Sequence, residues 1–190
     1  MSIFKYKPEI TGDKIILRPV QTADVDSLQQ LLLDREVNIL TGSVHSSDAE
    51  IESYETNKLK KLYGDWAVSD ERTVFMIVRK SDGEIIGESV LNDYDAGNSS
   101  CNFRIWIAGV TGHGFGTETV NLTMTYAFRD LNLHRVELEV YDFNPRARHV
   151  YEKAGFKHEG TKRDALRFDG QWVDAHTMSM LNREWHMYTN

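Results

Sequence analysis

Several things are scarce in this chain of 190 residues, and each scarcity excludes something. There is one cysteine, Cys101. It rules out an internal disulfide and cannot build a metal knuckle alone, so the expected home is a reducing compartment such as the cytoplasm. No apolar run approaches the ~20 residues of a membrane span, and the N-terminal MSIFKYKPEI lacks the apolar core of a signal peptide. Positive charge is not in excess: 22 Lys and Arg against 29 Asp and Glu give a formal net charge of −7. That argues against nucleic-acid binding, which depends on neutralising phosphates. An acidic surface favours solubility and is compatible with a cationic substrate. The seven histidines show no H-x-H or H-E-x-x-H spacing, so no metal is expected. No G-x-S-x-G element suggests a serine hydrolase. Repeats, low-complexity segments and linkers are absent. With 41% hydrophobic residues, the composition fits one domain over residues 1–190 with a sizeable core.

The periodicities that are present describe a mixture of α and β structure. KIILRP, 14–19, reads as a strand, and Thr22 is a plausible cap for a helix with Val25, Leu28, Leu31 and Leu32 at helical spacing. Ser46 to Tyr63 reads as a second helix capped by Ser47, acidic early and basic late. The period then changes to two. VFMIVRK, 74–80, and EIIGESVL, 84–91, flank the turn signal Asp82-Gly83, and CNFRIWIA, 101–108, follows a turn-forming stretch. From Thr117, the residues Val120, Met124, Ala127, Phe128 and Leu131 form an apolar helix face. RVELEVY, 135–141, is a further strand, expected parallel to 101–108 because a helix separates them. Asn144-Pro145 opens another helix with Ala147, Val150, Tyr151 and Ala154 as its buried stripe and Gly155 as its stop. The remainder, 156–185, reads as a hairpin turned at Asp169-Gly170.

Glycine is also sparse, at 13 residues, yet Gly112, Gly114 and Gly116 alternate within VTGHGFGTET. Bare backbone between a strand and a helix N-terminus is an anion cradle suited to a pyrophosphate; a surface loop needing positive φ is the plainer reading. Gly116-Thr117-Glu118 lacks the Gly-Lys-Ser/Thr of a Walker loop, and neither Gly112 nor Gly114 starts a complete G-x-G-x-x-G.

From Gly114 on, this loop resembles the acetyl-coenzyme A loop of the GCN5-related N-acetyltransferase (GNAT) superfamily, with Thr111 where the family has Gln or Arg. Asn144-Pro145-Arg146-Ala147 through Tyr151-Glu152-Lys153-Ala154-Gly155-Phe156 resembles that family's N-x-x-A/S-x-x-x-Y-E-K-x-G-F segment. The early ILRP and the closing Leu181-Asn182-Arg183-Glu184-Trp185 are similar to the branch that includes the ribosomal-protein N-terminal acetyltransferases. The resemblance spans nearly the whole chain. It implies an α+β fold, with a central mixed, mainly antiparallel sheet flanked by helices and one splayed parallel strand pair. It also implies transfer of acetyl from acetyl-coenzyme A to a primary amine by direct attack on the thioester. The acceptor is expected to be a peptide N-terminus, with a polyamine or other small amine, or a coenzyme-binding sensor with little catalysis, as alternatives.

Coenzyme A would run along Ile105, Ile107 and Ala108 and set its pyrophosphate on Thr111, Gly112, His113, Gly114, Phe115, Gly116 and Thr117, with Asn144 also touching it. Backbone N–H groups near Ile107 and Ala108 would face the oxyanion, and Tyr151 would protonate the leaving thiolate. The strand glutamate of some relatives is Asn102 here, which leaves the base open; Glu88 and Glu139 read as solvated strand carboxylates. No metal, nucleic acid or membrane partner is implied, and a monomer or homodimer is expected.

Overall fold

The computed structural model describes residues 3–185. Eight strands make one sheet in the order β1-β2-β3-β4-β5-β6-β8-β7. They are β1 (Ile10–Thr11), β2 (Ile15–Pro19), β3 (Thr73–Arg79), β4 (Ile85–Asp95), β5 (Ser100–Ile107), β6 (Arg135–Tyr141), β7 (Lys157–Phe168) and β8 (Gln171–Leu181). The helices are α1 (Val25–Leu31), α2 (Arg35–Leu40), α3 (Thr56–Val68), α4 (Phe115–Thr125), α5 (Pro145–Ala154) and α6 (Asn182–Trp185).

Both faces of the central strands are covered, which is why VFMIV reads as a continuous apolar run. On β3, Phe75 and Ile77 join the core under α4 and α5, while Val74 and Met76 join a second core under α1 and α3. Alternation carries the same division along β4. Leu91 points to the α4 side, where its neighbour Ser89 bonds to Thr123 at 2.8 Å; Val90 points to the α3 side.

The parallel pair creates the functional geometry. β5 and β6 pair only at Ser100↔Arg135, Cys101↔Val136 and Asn102↔Glu137, whereas β6 pairs with β8 over its whole length. Past residue 102 the sheet therefore opens as a wedge. Cys101, at its closed end, is buried, and burial pushes its thiol up to about 12. The thiol is a buried group of the core.

The elements that bound this wedge follow their local signals. Asn144 caps α5 by accepting from the Ala147 N–H at 3.1 Å, Pro145 occupies the first turn, and Gly155 ends the helix at φ 105°. The expected helix over 46–63 is corrected in two respects. α3 begins only at Thr56 and continues to Val68, and Ser47 caps nothing. Local bonds compete with helix formation here: Ser46 Oγ donates to Asp48 Oδ1 at 2.8 Å, and the Ser47 N–H donates to Asp169 Oδ1 of the β7–β8 turn at 2.8 Å. Thr22 is likewise not the cap of the first helix. Asp24, held bidentately by Arg18 at 2.7 and 2.8 Å, accepts from the Gln21 N–H at 2.8 Å and fixes that turn. The short α2 follows Asp34, whose side chain accepts from the Val37 N–H at 2.9 Å.

Candidate active site

The wedge holds a cavity of about 620 Å³. The exposed glycine loop and the buried Tyr151 both line it. Gly112 and Gly114 sit at φ 78° and 82°, in the left-handed region that favours glycine. Gly114 is the N-cap of α4. The first helical bond there is Glu118 N–H to Gly114 O at 3.1 Å, so the N–H groups of Phe115, Gly116 and Thr117 have no intrahelical acceptor. The helix dipole adds positive potential at the same point.

One residue on β2's approach, Lys14, anchors this turn, and sequence patterning did not single it out. The Lys14 Nζ donates to His113 O at 2.8 Å, and the Lys14 N–H donates to Glu118 Oε1 at 2.9 Å. An ammonium thus stands beside the loop, on a side where Thr111 brings no charge.

Of the expected cofactor-side residues, Ile105, Ile107, Thr111, Gly112, His113, Gly114, Phe115, Gly116, Thr117 and Asn144 all line the cavity, as does Tyr151. Ala108 does not. It is buried, and its N–H donates to Ile86 O at 2.9 Å, so it is unavailable as an oxyanion donor. That bond fixes the alternation of the β4–β5 ladder. Residues 108, 106 and 104 turn their N–H groups toward β4, while 107 and 105 turn theirs toward the gap β6 has left.

The Tyr151 ring is clamped, with Phe103 edge-on at 6.4 Å and Phe156 at 5.9 Å. Its hydroxyl has no hydrogen-bond partner among the described residues. Burial holds it above the ordinary phenol value, hence protonated at neutral pH.

A second pocket of about 240 Å³ adjoins the first and shares with it Val37, Thr41, Asn92, Arg104, Ile105 and Trp106. Here the expectation for Glu88 is corrected. Its carboxylate is enclosed under α3, accepting from Tyr63 OH at 3.0 Å and from the Trp106 side chain, and burial raises its pKa above the ordinary carboxylate value. Glu139, by contrast, is exposed and paired with Lys162, as a solvated strand carboxylate should be. The signal that finds Glu88 is the alternation Glu88, Val90, Asn92 on one face of β4, opposite Trp106, Arg104 and Asn102 of β5.

The GNAT acetyltransferase domain family matches residues 14–157. The chain belongs to that family. Its relatives include a spermidine N(1)-acetyltransferase of Vibrio cholerae, 31% identical over 70% of this chain and 78% of that one. They also include YdaF of Bacillus subtilis, whose name places it provisionally among ribosomal N-acetyltransferases, 36% identical over 55% of this chain and 57% of its own. The crystal structure of the Vibrio cholerae spermidine N-acetyltransferase in complex with CoA and spermine superposes with a TM-score of 0.80 at 25% identity, covering 92% of this chain and 99% of that one. The GNAT fold expected from the sequence motifs is the fold observed: a mixed, mainly antiparallel sheet with one parallel pair. Among the described residues, no group of three or more His, Cys, Asp or Glu is placed to hold a metal, and no helix is long and apolar enough to cross a membrane.

Proposed function

We propose that this GNAT protein works as a single-domain, acetyl-coenzyme A-dependent N-acetyltransferase acting on a primary amine. The observation that carries the reading is the splayed β5–β6 wedge, with unpaired amides of a helix N-terminus at one end and an unpartnered, protonated phenol inside it. The residues fit coenzyme A. The N–H groups of 115–117 suit a pyrophosphate, with the Lys14 ammonium beside them. The gap-facing amide edges of Ile105 and Ile107 suit a pantetheine amide. Bound coenzyme supplies the acetyl thioester, and the protein supplies the groups around it.

The neutral amine nitrogen attacks the thioester carbonyl and a C–N bond forms. The gap-facing N–H groups of Ile105 or Ile107 donate to the oxygen that gains charge. When the C–S bond breaks, Tyr151 OH gives its proton to the thiolate, the nitrogen loses one proton, and the phenol recovers its own from solvent. Asn144 orders the first turn of α5 and so fixes where Tyr151 stands.

The experiment is acetyl transfer by the purified chain from acetyl-coenzyme A to a panel of peptides, polyamines and amino compounds, read by mass spectrometry of the product. Acetylated product in at least one arm supports the reading. Coenzyme binding with no transfer to any arm overturns it and leaves a coenzyme-binding protein.

A further inference from the structure

The second pocket offers an unusual set of groups. Asn92 is only 8% exposed and lines both cavities, yet its Oδ1 accepts no hydrogen bond. A buried, unpaired acceptor is costly and calls for a donor. Its Nδ2 is already committed to Asp93 at 2.9 Å, so the missing partner is an N–H or O–H. Among the described residues, Glu88 is the only carboxylate lining the second pocket. Its bonds to Tyr63 and Trp106 are both accepted bonds, and a carboxylate has lone pairs left after two. The apolar part of the remaining wall is Leu59, Leu62, Val90 and Trp66, the last packed edge-on to Tyr63 at 5.0 Å, with Asn38, Thr41 and Ser43 as polar lining. Two arginines also line the pocket. Arg72 lies over the Trp66 ring at 4.9 Å, and Arg104 sits beside Val90 on the sheet face.

We propose that this pocket is the acceptor site and that it takes a compact amine with one positive charge on an apolar body, an α-amine next to an aromatic or branched side chain. The proposal rests on the acetyltransferase reading and narrows its acceptor. Asn92 Oδ1, at the junction of the two cavities, accepts an N–H of the reacting nitrogen. Glu88 takes one proton from the incoming ammonium and passes it to solvent, leaving the neutral amine that attacks. The side chain packs against Trp66 and Leu62. A polyamine is the wrong shape of charge for this wall: its several ammonium groups would share one carboxylate while facing two guanidinium groups. An apolar α-amine has two sources, a free amino acid and the first residue of a peptide, and the shared chemistry is the amine beside its side chain.

The test compares kcat/KM of the full chain for phenylalanine, a short peptide beginning with phenylalanine, a glycine-initiated peptide of equal length, and spermidine, with coenzyme A binding measured separately by calorimetry. At least one phenylalanine arm should exceed both spermidine and the glycine peptide by tenfold or more, and which arm wins identifies the source. Glu88→Gln should lower kcat for that acceptor at least tenfold with coenzyme affinity unchanged. Arg104→Glu, an exposed position, should raise the spermidine-to-phenylalanine ratio at least fivefold. The ratio is taken within one enzyme, so it is independent of coenzyme binding. Preference for spermidine, or a Glu88→Gln enzyme with full kcat, overturns this proposal while transfer itself upholds the acetyltransferase. No transfer to any arm, despite coenzyme binding, overturns both.

Discussion

Replacing Tyr151 by Phe separates packing from chemistry at the centre of the site. The ring is 8% exposed and held between Phe103 and Phe156, contacts that phenylalanine keeps. The hydroxyl has no partner among the described residues, so its removal breaks no protein hydrogen bond. The stability change should therefore stay below about 1 kcal/mol. Tyr151→Ala, which empties the clamp, should cost about 3–5 kcal/mol. If the hydroxyl protonates the leaving thiolate, its loss removes a general acid, and kcat should fall about 10²–10⁴-fold. The phenol is held above its ordinary value of about 10, so it remains the proton-bearing form throughout the neutral range. Tyr151 should accordingly contribute no alkaline fall in kcat below about pH 9. The assay follows coenzyme A thiol release with a chromogenic disulfide, alongside calorimetric titration of coenzyme A and chemical denaturation. A Tyr151→Phe enzyme with kcat within threefold of the parent would refute the acid role. A drop in coenzyme affinity matching the drop in kcat would assign the hydroxyl to binding.

Glu88→Gln should stabilise the protein at neutral and alkaline pH while lowering turnover. The unfolded carboxyl titrates near 4.3, and its folded pKa is raised by burial, with the hydrogen bonds from Trp106 and Tyr63 and the nearby Arg104 and Arg72 opposing. Between those values the folded state holds the extra proton, so the parent loses stability as pH rises through the folded pKa; denaturation curves from pH 4 to 9 should show that loss vanish in the variant. Gly87→Ala should destabilise by about 3 kcal/mol, because its Cβ would lie 2.1 Å from the Trp106 backbone oxygen, and urea titration measures it. Asn144→Ala should cost about 1 kcal/mol through the lost cap, seen by the same titration. Lys14→Ala should weaken coenzyme A binding by up to about fivefold in calorimetry, the range for one exposed charge.

The glycine-loop end of the wedge and α5 are legible in the sequence because their signals are local. Asn144, Pro145 and Gly155 bound α5 by cap chemistry that any sequence window contains, and the strand–glycine–helix order places Gly112 to Thr117 at a helix N-terminus. Other polar groups around the two cavities are not, because their signals are long-range. Ser47 reads as a helix cap until Asp169, in the β7–β8 turn, takes its N–H. Glu88 reads as a solvated strand residue until α3, which starts only at Thr56, lays Tyr63 over it. Ala108 reads as a free donor until the β4–β5 register commits its N–H to Ile86. In each case an element far away in sequence decides whether a polar group is free.

We propose that the wedge between β5 and β6 holds the coenzyme with its sulfur at Tyr151. A crystal structure of the protein with coenzyme A tests it most directly. The pyrophosphate should lie on the N–H groups of 115–117 and the thiol sulfur about 3–4 Å from the Tyr151 hydroxyl. Coenzyme bound outside the wedge, or bound there with its sulfur turned away from Tyr151, would contradict it.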